Sequence, residues 1–455
     1  MKDGQTSKTC GLVVFLACMV TGMQLFAQPG TPVVLTLQDA VQLSMKHDAD
    51  LETSRLEVER ADSRVMEAWG TALPSVDLSA NYTRTLKSPI FFAIFNGQEV
   101  SIEMGIPHAF SMLLGGRQVL FNGAIIAGLG AAHVYSSLAR ELYLGKQLET
   151  VTKVRKQYYG ALVAREALAM MQSSLSNAED NLRNVQVMRK QGIVSEYDEL
   201  RASVQVDNLR PSVIQSENTY QLAVDALRST IGFDTSASIQ LGDSLKFVPA
   251  DDSLISKAEQ LTLGQNPGLR AMDQQIDLNG AAVLAERSGY MPTLALFGQY
   301  QYQAAKDRFR FSTNDLIGSA QVGISLSMNI FQGGQTFARI EQAQVERRKA
   351  EQQRLGLERT LRTGVHSVVG TLRQARKRVE AQEKTVETAA RGYQIAAARY
   401  RSRAATQLEV NDAQVALDQA RVNRIQALYD YLVASAELDQ LIGRLPEGVR
   451  KLDDQ

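Results

Sequence analysis

A seven-residue repeat in the second half of the chain is the feature that most limits its possible folds. The repeating positions are Val365, Leu372, Val379, Val386, Tyr393 and Tyr400. Alanine at several positions three residues further on would let neighbouring helices approach closely, as in a coiled coil. At about 1.5 Å per residue, a helix over residues 333–401 would be roughly 100 Å long. Such a helix predicts an elongated assembly rather than a compact globular domain.

The residues just before this tract alternate with a period of two. The apolar positions are Ala320, Val322, Ile324, Leu326, Met328 and Ile330, and the residues between them are small or polar. This pattern predicts a strand over residues 319–331 with one apolar face. The strand is slightly longer than the roughly 9–11 residues that a tilted strand needs to cross a bilayer. A soluble sandwich and a membrane barrel with a wet lumen both fit this segment.

Both patterns occur twice in the chain, in the same order. Ala40/Ala258, Leu51/Leu269, Pro74/Pro292 and Tyr82/Tyr300 are each 218 residues apart, Phe121/Phe331 are 210 apart, and Ala202/Ala413, Leu227/Leu438 and Gly232/Gly443 are 211 apart. Nearly constant separations over so many positions indicate a tandem duplication. Each repeat reads as helix, strand, strand, very long helix, turn and helix.

The pattern also predicts the boundaries of the two repeats. Repeat 1 is predicted over residues 28–232, with strands near 76–86 and 110–121 and a turn between long helices near 191–195. Repeat 2 is predicted over 254–443, with strands near 293–304 and 319–331 and the equivalent turn near 402–406. Between the repeats, residues 233–253 predict an irregular segment, and residues 444–455 predict a C-terminal tail. We also expect a loop rich in Phe91, Phe92 and Phe95, and a helix kink at Pro211.

The N-terminal residues have the pattern of a secretory signal. Two lysines precede an apolar run over residues 11–20, and cleavage is predicted after Ala27. Both cysteines, Cys10 and Cys18, lie within residues 1–27, so the mature chain would contain no thiol. The segment before Cys18 loosely matches a lipidation box, which leaves lipidation of Cys18 open. Further along the chain there is no second apolar run of about 18 residues, so a membrane crossing would have to use strands.

Composition and residue spacing argue against several other functions. The 49 basic and 49 acidic residues cancel, so nothing indicates a nucleic-acid partner. The four histidines, His47, His108, His133 and His366, are scattered and lack cysteines or paired carboxylates at ligand spacing, which predicts no metal site. The sequence contains neither a catalytic triad pattern nor a glycine-rich phosphate fingerprint. We therefore expect neither enzymatic activity nor a cofactor.

The predicted strands cannot form a hollow barrel within one chain. Each chain supplies four, whereas about eight strands are needed merely to hold side chains inside a barrel. Three copies would supply twelve strands and leave no unpaired edge. The sequence thus predicts a mainly α protein whose trimeric 12-stranded membrane β-barrel is continued by an α-helical coiled-coil tunnel. The alternative is a periplasmic coiled-coil adaptor or scaffold protein, although adaptors usually have one helical hairpin rather than two.

Short motifs mark the strand and turn boundaries in both repeats. They are Ala72-Leu-Pro74 and Tyr290-Met-Pro292 before strands, Phe121-Asn-Gly123 and Phe331-Gln-Gly333 between strand and helix, and Gly192-Ile-Val-Ser-Glu-Tyr-Asp198 and Leu408-Glu-Val-Asn-Asp-Ala-Gln414 at the turns. In this order, over residues 35–443, the chain resembles the TolC-like outer-membrane efflux protein family. The resemblance implies a homotrimer that serves as the passive exit duct of a tripartite efflux or type I secretion system. It would dock on a periplasmic adaptor and an inner-membrane pump.

The resemblance also implies a gate at the far end of the tunnel. Its expected residues are the acids Asp198, Glu409 and Asp412 together with Tyr400, and adaptor contacts are expected at Gly192, Ser195 and Thr406. The arginine position of the family is occupied by Ala405 and a turn glycine by Arg403, so Arg403 would have to supply the positive charge. A simpler interpretation is that Ser195 with Asp198, and Thr406 with Glu409, are helix capping boxes. Tyr400 also continues the heptad pattern, which fits core packing.

Overall fold

The computed structural model describes residues 33–95, 97–103, 105–232 and 239–446. The predicted signal segment, Cys18 and most of the predicted C-terminal tail lie outside the described residues. Most of the described chain is helical. Within it, none of the helices combines the length and the hydropathy needed to span a membrane.

The elements follow the duplicated order. Repeat 1 and the strand before it contain β1 (Val33–Leu35), α1 (Leu37–His47), α2 (Ala49–Ala72), β2 (Ser75–Arg84), β3 (Ile90–Phe95), β4 (Gln98–Glu103), β5 (His108–Phe121), α3 (Gly123–Lys190) and α4 (Glu196–Ile231). The connecting segment and repeat 2 contain β6 (Ile239–Leu241), α5 (Asp252–Ser256), α6 (Ala258–Gln265), α7 (Pro267–Arg287), β7 (Thr293–Lys306), β8 (Ile317–Ser327), α8 (Gln335–Arg401) and α9 (Gln407–Ile442).

The main sheet has an apolar face and a mostly polar face. Its strand order is β2-β5-β7-β8, and every neighbouring pair is antiparallel. The register places on one face Val76, Leu78, Ala80, Tyr82, Phe110, Met112, Leu114, Leu294, Leu296, Tyr300, Tyr302, Ala320, Val322, Ile324 and Leu326. The other face carries Asp77, Ser79, Asn81, Thr83, Ser111, Arg117, Gln299, Gln301, Gln303, Ser319, Gln321 and Ser325, together with the apolar Leu113 and Phe297. The alternating residues of neighbouring strands are therefore aligned, which gives the sheet one mainly apolar face and one mainly polar face.

The two outer strands of this sheet are open edges. All of β2 and nearly all of β8 are exposed, whereas the inner strand β5 is mostly half-buried. Because three successive antiparallel pairings separate them, β2 and β8 run in opposite directions. An open strand edge presents unpaired backbone N–H and C=O groups. The single chain therefore leaves both edges available for further pairing.

Strand β8 is shorter than the sequence pattern predicts. The alternation predicted a strand through residue 331, but β8 ends at Ser327. The reason lies in its neighbour, because β7 begins at Thr293, which is paired with Ser327. Residues 328–331 therefore have no strand beside them within this chain. Met328, Ile330 and Phe331 are exposed there.

The predicted phenylalanine-rich loop between the first two main strands is instead a hairpin. Strands β3 and β4 pair from Ile90 with Glu103 to Phe95 with Gln98. Gly97 between them has a φ of 79°, a conformation that glycine adopts without steric cost. Asn96-Gly97, which follows an apolar run, is a strong sequence signal for a hairpin, and the loop prediction overlooked it.

The connecting segment is also less irregular than predicted. Its strand β6 pairs in parallel with β1, and α5 follows it. Buried Tyr158 on α3 contacts this pair of strands. Its hydroxyl donates to the Leu35 carbonyl oxygen at 2.9 Å and to Asp243 Oδ2 at 2.8 Å. On α9, the Tyr431 hydroxyl donates to the Val248 carbonyl oxygen at 3.0 Å. Sequence patterns missed the strand because its partner is more than 200 residues away.

The long helices form two hairpins that pack side by side. Helix α3 pairs with α4, α8 pairs with α9, and α3 also contacts both α7 and α9. Two apolar clusters hold the hairpins near their bases, one around Tyr158 and Leu162 and the other around Leu372 and Tyr431. Helix α4 runs without interruption through Pro211. The helical layer thus places the two turns at the end farthest from the sheet.

Candidate functional site

The candidate site consists of the two turns that close the helical hairpins. We define tip 1 as residues 188–199 and tip 2 as residues 399–412. Helix α3 has 68 residues and α8 has 67. At about 1.5 Å per residue, each tip lies roughly 100 Å from the sheet.

The backbones of the two tips make the same hydrogen bonds. In tip 1, the Ile193 N–H donates to the Met188 carbonyl oxygen at 2.9 Å. In tip 2, the Ala404 N–H donates to the Arg399 carbonyl oxygen at 2.8 Å. Both bonds close the last turn of a long helix and satisfy carbonyl groups that the helix itself leaves free. The two tips therefore share one turn geometry.

Each tip contains one residue in the left-handed region of backbone conformation. Gly192 has a φ of 72° in tip 1, and Arg403, at the equivalent position of tip 2, has a φ of 64°. Among the described residues, Arg403 alone combines a side chain with a positive φ. This conformation costs an L-residue about 1–2 kcal/mol because Cβ approaches the following carbonyl oxygen. Tip 2 therefore carries backbone strain that tip 1 avoids.

The predicted acids Asp198 and Glu409 cap the returning helices. The Ser195 hydroxyl accepts from the Asp198 N–H at 3.2 Å, and the Asp198 carboxylate accepts from the Ser195 N–H at 3.1 Å. In tip 2, the Glu409 carboxylate accepts from the Thr406 N–H at 3.1 Å, and the Thr406 hydroxyl accepts from the Glu409 N–H at 3.4 Å. Both are capping boxes, which satisfy backbone donors at a helix start.

Each tip also contains an arginine that pairs with the acids. Arg189 contacts Glu199 and lies 3.5 Å from Glu196. In tip 2, Arg399 lies 3.6 Å from Glu409 and donates to the Ala404 carbonyl oxygen at 2.8 Å. The pKa of Glu409 is lowered in the folded chain. The main cause is the hydrogen bond from the Thr406 backbone N–H, and the positive charge of Arg399 contributes less.

Within one chain, Arg399 is the cation beside Glu409. Arg403 is exposed, and among the described residues no carboxylate lies within ion-pair distance of it. The sequence did contain a signal for the two arginines that pair with the tip acids. Arg189 and Arg399 both stand in the last turn of a long helix, where positive charge is favoured by the helix dipole.

Tyr400 is half-buried close to tip 2. Its hydroxyl oxygen is buried and has no hydrogen-bond partner among the described residues. Burial of the phenol, and to a smaller extent the negative charge of Asp198, raise the pKa of Tyr400. The structure therefore brings an unpaired hydroxyl from tip 2 under the influence of a carboxylate from tip 1.

Asp412 lies outside the cap and is exposed. It follows Glu409 by three residues on α9, so the two carboxylates share one face of the helix. Nearer the middle of the hairpins, the Ser174 hydroxyl on α3 donates to Asp418 on α9 at 2.9 Å, and Gln414 donates to the same carboxylate. Sequence spacing could not find this link, because its partners are 244 residues apart.

The tips carry charged groups that are suited to electrostatic contacts. Within the described part of the chain, no group of three or more histidine, cysteine or acidic side chains could hold a metal ion. The tips instead present exposed carboxylates, paired arginines and free turn backbone.

A family model described as "Outer membrane efflux protein" matches residues 40–233 and 259–444. These two segments correspond closely to the two repeats. The chain is 24% identical over 343 residues to the outer membrane protein TolC of Vibrio cholerae, covering 72% of this chain and 76% of that protein. It is 22% identical over 336 residues to the alkaline protease secretion protein AprF of Pseudomonas aeruginosa, covering 73% and 69% respectively.

The fold is also found among solved structures. The outer membrane protein VceC of Vibrio cholerae matches with a TM-score of 0.74. The match covers 90% of this chain and 96% of VceC, at 16% sequence identity. At that identity the likeness concerns the fold alone.

Proposed function

The chain belongs to the outer membrane efflux protein family, and from this membership we propose that it is the passive exit duct of a tripartite efflux or type I secretion system. It is an outer-membrane protein that extends into the periplasm. The observation that carries the proposal is the joint between a two-faced, open-edged sheet and two helical hairpins whose longer helices are each roughly 100 Å long. A duct needs a membrane part and a long periplasmic part, and this joint supplies both.

The proposed assembly is a homotrimer. The edges β2 and β8 run in opposite directions, so β8 of one copy can accept β2 of the next as a further antiparallel strand. Repeating this step with three copies closes a ring of twelve strands, and closure removes every open edge. The apolar face would then meet lipid, and the polar face would line the water-filled lumen.

The proposed gate is formed by the tips. Asp198, Glu409 and Asp412 from three copies would surround the narrow mouth with carboxylates, which favours cations over anions. Tyr400 would participate through its unpaired hydroxyl. Arg403 would project from tip 2 as an exposed charge, with no carboxylate among the described residues within ion-pair distance.

The proposed adaptor contacts are at the tip residues that expose backbone. Gly192, Ser195 and Thr406 lie at the turns, where an adaptor hairpin can approach closely. An adaptor in the periplasm and a pump in the inner membrane would then supply specificity and energy. The duct itself would perform no catalysis.

The proposal is tested by deleting the chain in its own host. We expect loss of export, read as increased sensitivity to a panel of toxic compounds or as retention of a secreted polypeptide. Export should return with the full chain. Purified protein should be trimeric and dependent on detergent. A water-soluble monomer, or unchanged export in the deletion strain, would exclude the duct.

The gate is tested by conductance in planar bilayers. Asp412→Asn should reduce the preference of the channel for cations, because it removes three charges from the mouth. Asp207→Asn is the matched control, since Asp207 is an exposed acid on α4 away from the tip. Equal effects of the two substitutions would argue against a gate at Asp412.

A further inference from the structure

The loop between β7 and β8 folds back over the apolar face of the main sheet. Its Phe309 ring packs edge-on against Tyr82 of β2, with ring centroids 5.3 Å apart. Its Phe311 ring lies 6.3 Å from Phe110 of β5. Tyr82 and Phe110 are paired across the two strands and lie on the apolar face, and the Tyr82 hydroxyl is 2.8 Å from His108 Nδ1. Side chains from three segments thus form one aromatic cluster.

This cluster lies at the end of the sheet that is farthest from the helices. Strands β2 and β7 start beside a helix and end here, whereas β5 and β8 start here and lead into α3 and α8. The chain is an outer-membrane protein that extends into the periplasm. In the proposed duct the long helices are periplasmic, so this end of the sheet is at the outer surface. We define the outer rim as residues 84–87, His108 and residues 306–316.

Basic residues form a row across three strands of the outer rim. Arg84 of β2 is paired with His108 of β5, and His108 is paired with Lys306 of β7. Residues paired across strands lie on the same face, and His108 precedes Phe110 of the apolar face by two positions. The row therefore lies on the apolar face, directly beyond the aromatic cluster.

Most of the rim cations have no partner of opposite charge. The rim has five lysines and arginines but two aspartates, and Lys306 pairs with Asp315 at 2.6 Å. The other four cations are Arg84, Lys87, Arg308 and Arg310. All four are exposed, and no carboxylate among the described residues lies within ion-pair distance of them, which includes Glu99 and Glu103 of the β3–β4 hairpin.

The order of these features matches the order of groups in an anionic lipid. The apolar face of the sheet suits acyl chains, and aromatic rings favour the boundary between membrane and water. Basic residues next to a membrane attract anionic headgroups. Arginine in particular binds phosphate oxygens through two parallel hydrogen bonds. The unpaired arginines thus stand where the phosphates of a lipid packed against the sheet would lie.

We propose that the outer rim binds the phosphate groups of the phosphorylated glycolipid that forms the outer leaflet of a bacterial outer membrane. Arg84, Arg308 and Arg310 are the phosphate ligands, and Lys87 adds positive charge. The proposal rests on the proposed duct, which turns the apolar face toward lipid, and it adds a specific lipid partner. A glycolipid is favoured over a phospholipid because the rim is at the outer end of the sheet.

The test measures lipid binding by the purified full chain in detergent. Lipid A, a glycolipid with two phosphates, is the probe, and native mass spectrometry counts the lipids bound at increasing lipid concentration. The comparison lipids are lipid A without its phosphates and phosphatidylglycerol. We expect lipid A to bind more tightly than either of them.

Charge removal at the rim tests the named ligands. The combined substitutions Arg84→Gln, Arg308→Gln and Arg310→Gln should weaken lipid A binding about a hundredfold, or roughly fivefold for each cation. Binding of the dephosphorylated lipid should not change, because its contacts are with the apolar face. Lysine at the same three positions keeps the charge and should retain most of the lipid A binding.

Three cations far from the rim supply the matched control. They are Arg373, Lys377 and Arg391 on α8, which are exposed and form no ion pair among the described residues. Their combined replacement by glutamine removes the same charge from the chain. Lipid A binding should remain at the level of the unmodified chain.

Each outcome supports or overturns the proposal. Unchanged lipid A binding in the rim variant, or an equal loss in the α8 control, would overturn the rim site. Equal binding of lipid A with and without phosphates would do the same, and equal binding of phosphatidylglycerol would overturn the choice of a glycolipid. Export in the deletion strain, measured in parallel for each variant, reports on the duct separately. A water-soluble monomer would overturn both.

Discussion

The two hairpin tips show how a duplicated structure can keep its hydrogen bonds and change its side chains. Both tips close with equivalent backbone bonds, and both start the returning helix with a capping box. They differ at the left-handed position, where tip 1 has Gly192 and tip 2 has Arg403. The hydrogen-bonding skeleton is thus independent of this residue. In tip 2, Arg403 therefore has a strained backbone conformation and carries an exposed positive charge.

The largest expected difference between the tips comes from placing valine at this position. Gly192→Val should destabilise tip 1 by about 2 kcal/mol, because a β-branched residue is poorly accommodated at positive φ. Arg403→Val should cost tip 2 less, since the native residue already has a Cβ. Amide hydrogen exchange of Ile193 and Ala404 measures each opening. If Gly192→Val and Arg403→Val destabilised their tips equally, the native Arg403 backbone would not be strained.

Removal of the capping hydroxyls should affect both tips similarly. Ser195→Ala and Thr406→Ala should each destabilise the first turn of the returning helix by about 1 kcal/mol, because one backbone donor loses its acceptor. Exchange of the Asp198 and Glu409 amides measures the effect. Ser203→Ala, further along α4 and outside the cap, is the control and should leave both amides unchanged.

The reverse substitution at tip 2 should be stabilising. Arg403→Gly removes the contact between Cβ and the carbonyl oxygen, while the added freedom of glycine in the unfolded chain offsets part of the gain. We expect a net stabilisation of about 0.5 kcal/mol, read from slower exchange at Ala404. Faster exchange would show that the guanidinium makes a stabilising contact.

The smallest expected difference is in the response to acid. The pKa of Glu409 is lowered in the folded chain, so its contribution to stability is present above its ordinary pKa. That contribution is lost as the pH falls through the lowered value. Protection of the Glu409 amide, the ratio of its intrinsic to its observed exchange rate, should therefore decrease in acid. In Glu409→Gln this pH dependence should disappear, and its persistence would assign the effect to another group.

The resemblance to the TolC-like family, which the repeated motifs indicated, is confirmed by the family match over both repeats. Local signals were sufficient here. The heptad tract marked α8, the alternation marked the strands, and the spacing of Ser195 to Asp198 and Thr406 to Glu409 marked the caps. Each depends on residues at most a few turns apart.

The site was harder to predict because its contacts cross between hairpins. The sequence analysis did not select Arg399, which pairs with Glu409 within the chain. It also gave no indication of the link from Ser174 to Asp418. A contact such as Ser174 with Asp418 depends on how helices from different repeats pack against each other. The spacing of residues within one helix does not predict that packing.

The sequence by itself determined the helices, the main strands, the duplication and the turn positions, because periodicity and capping are properties of neighbouring residues. The tertiary structure decided the strand order, the two open edges and the early end of β8, because these depend on which distant strand is available as a partner. Backbone pairing between strands is satisfied only in the assembled sheet, so the chain can specify an edge without itself containing the strand that covers it.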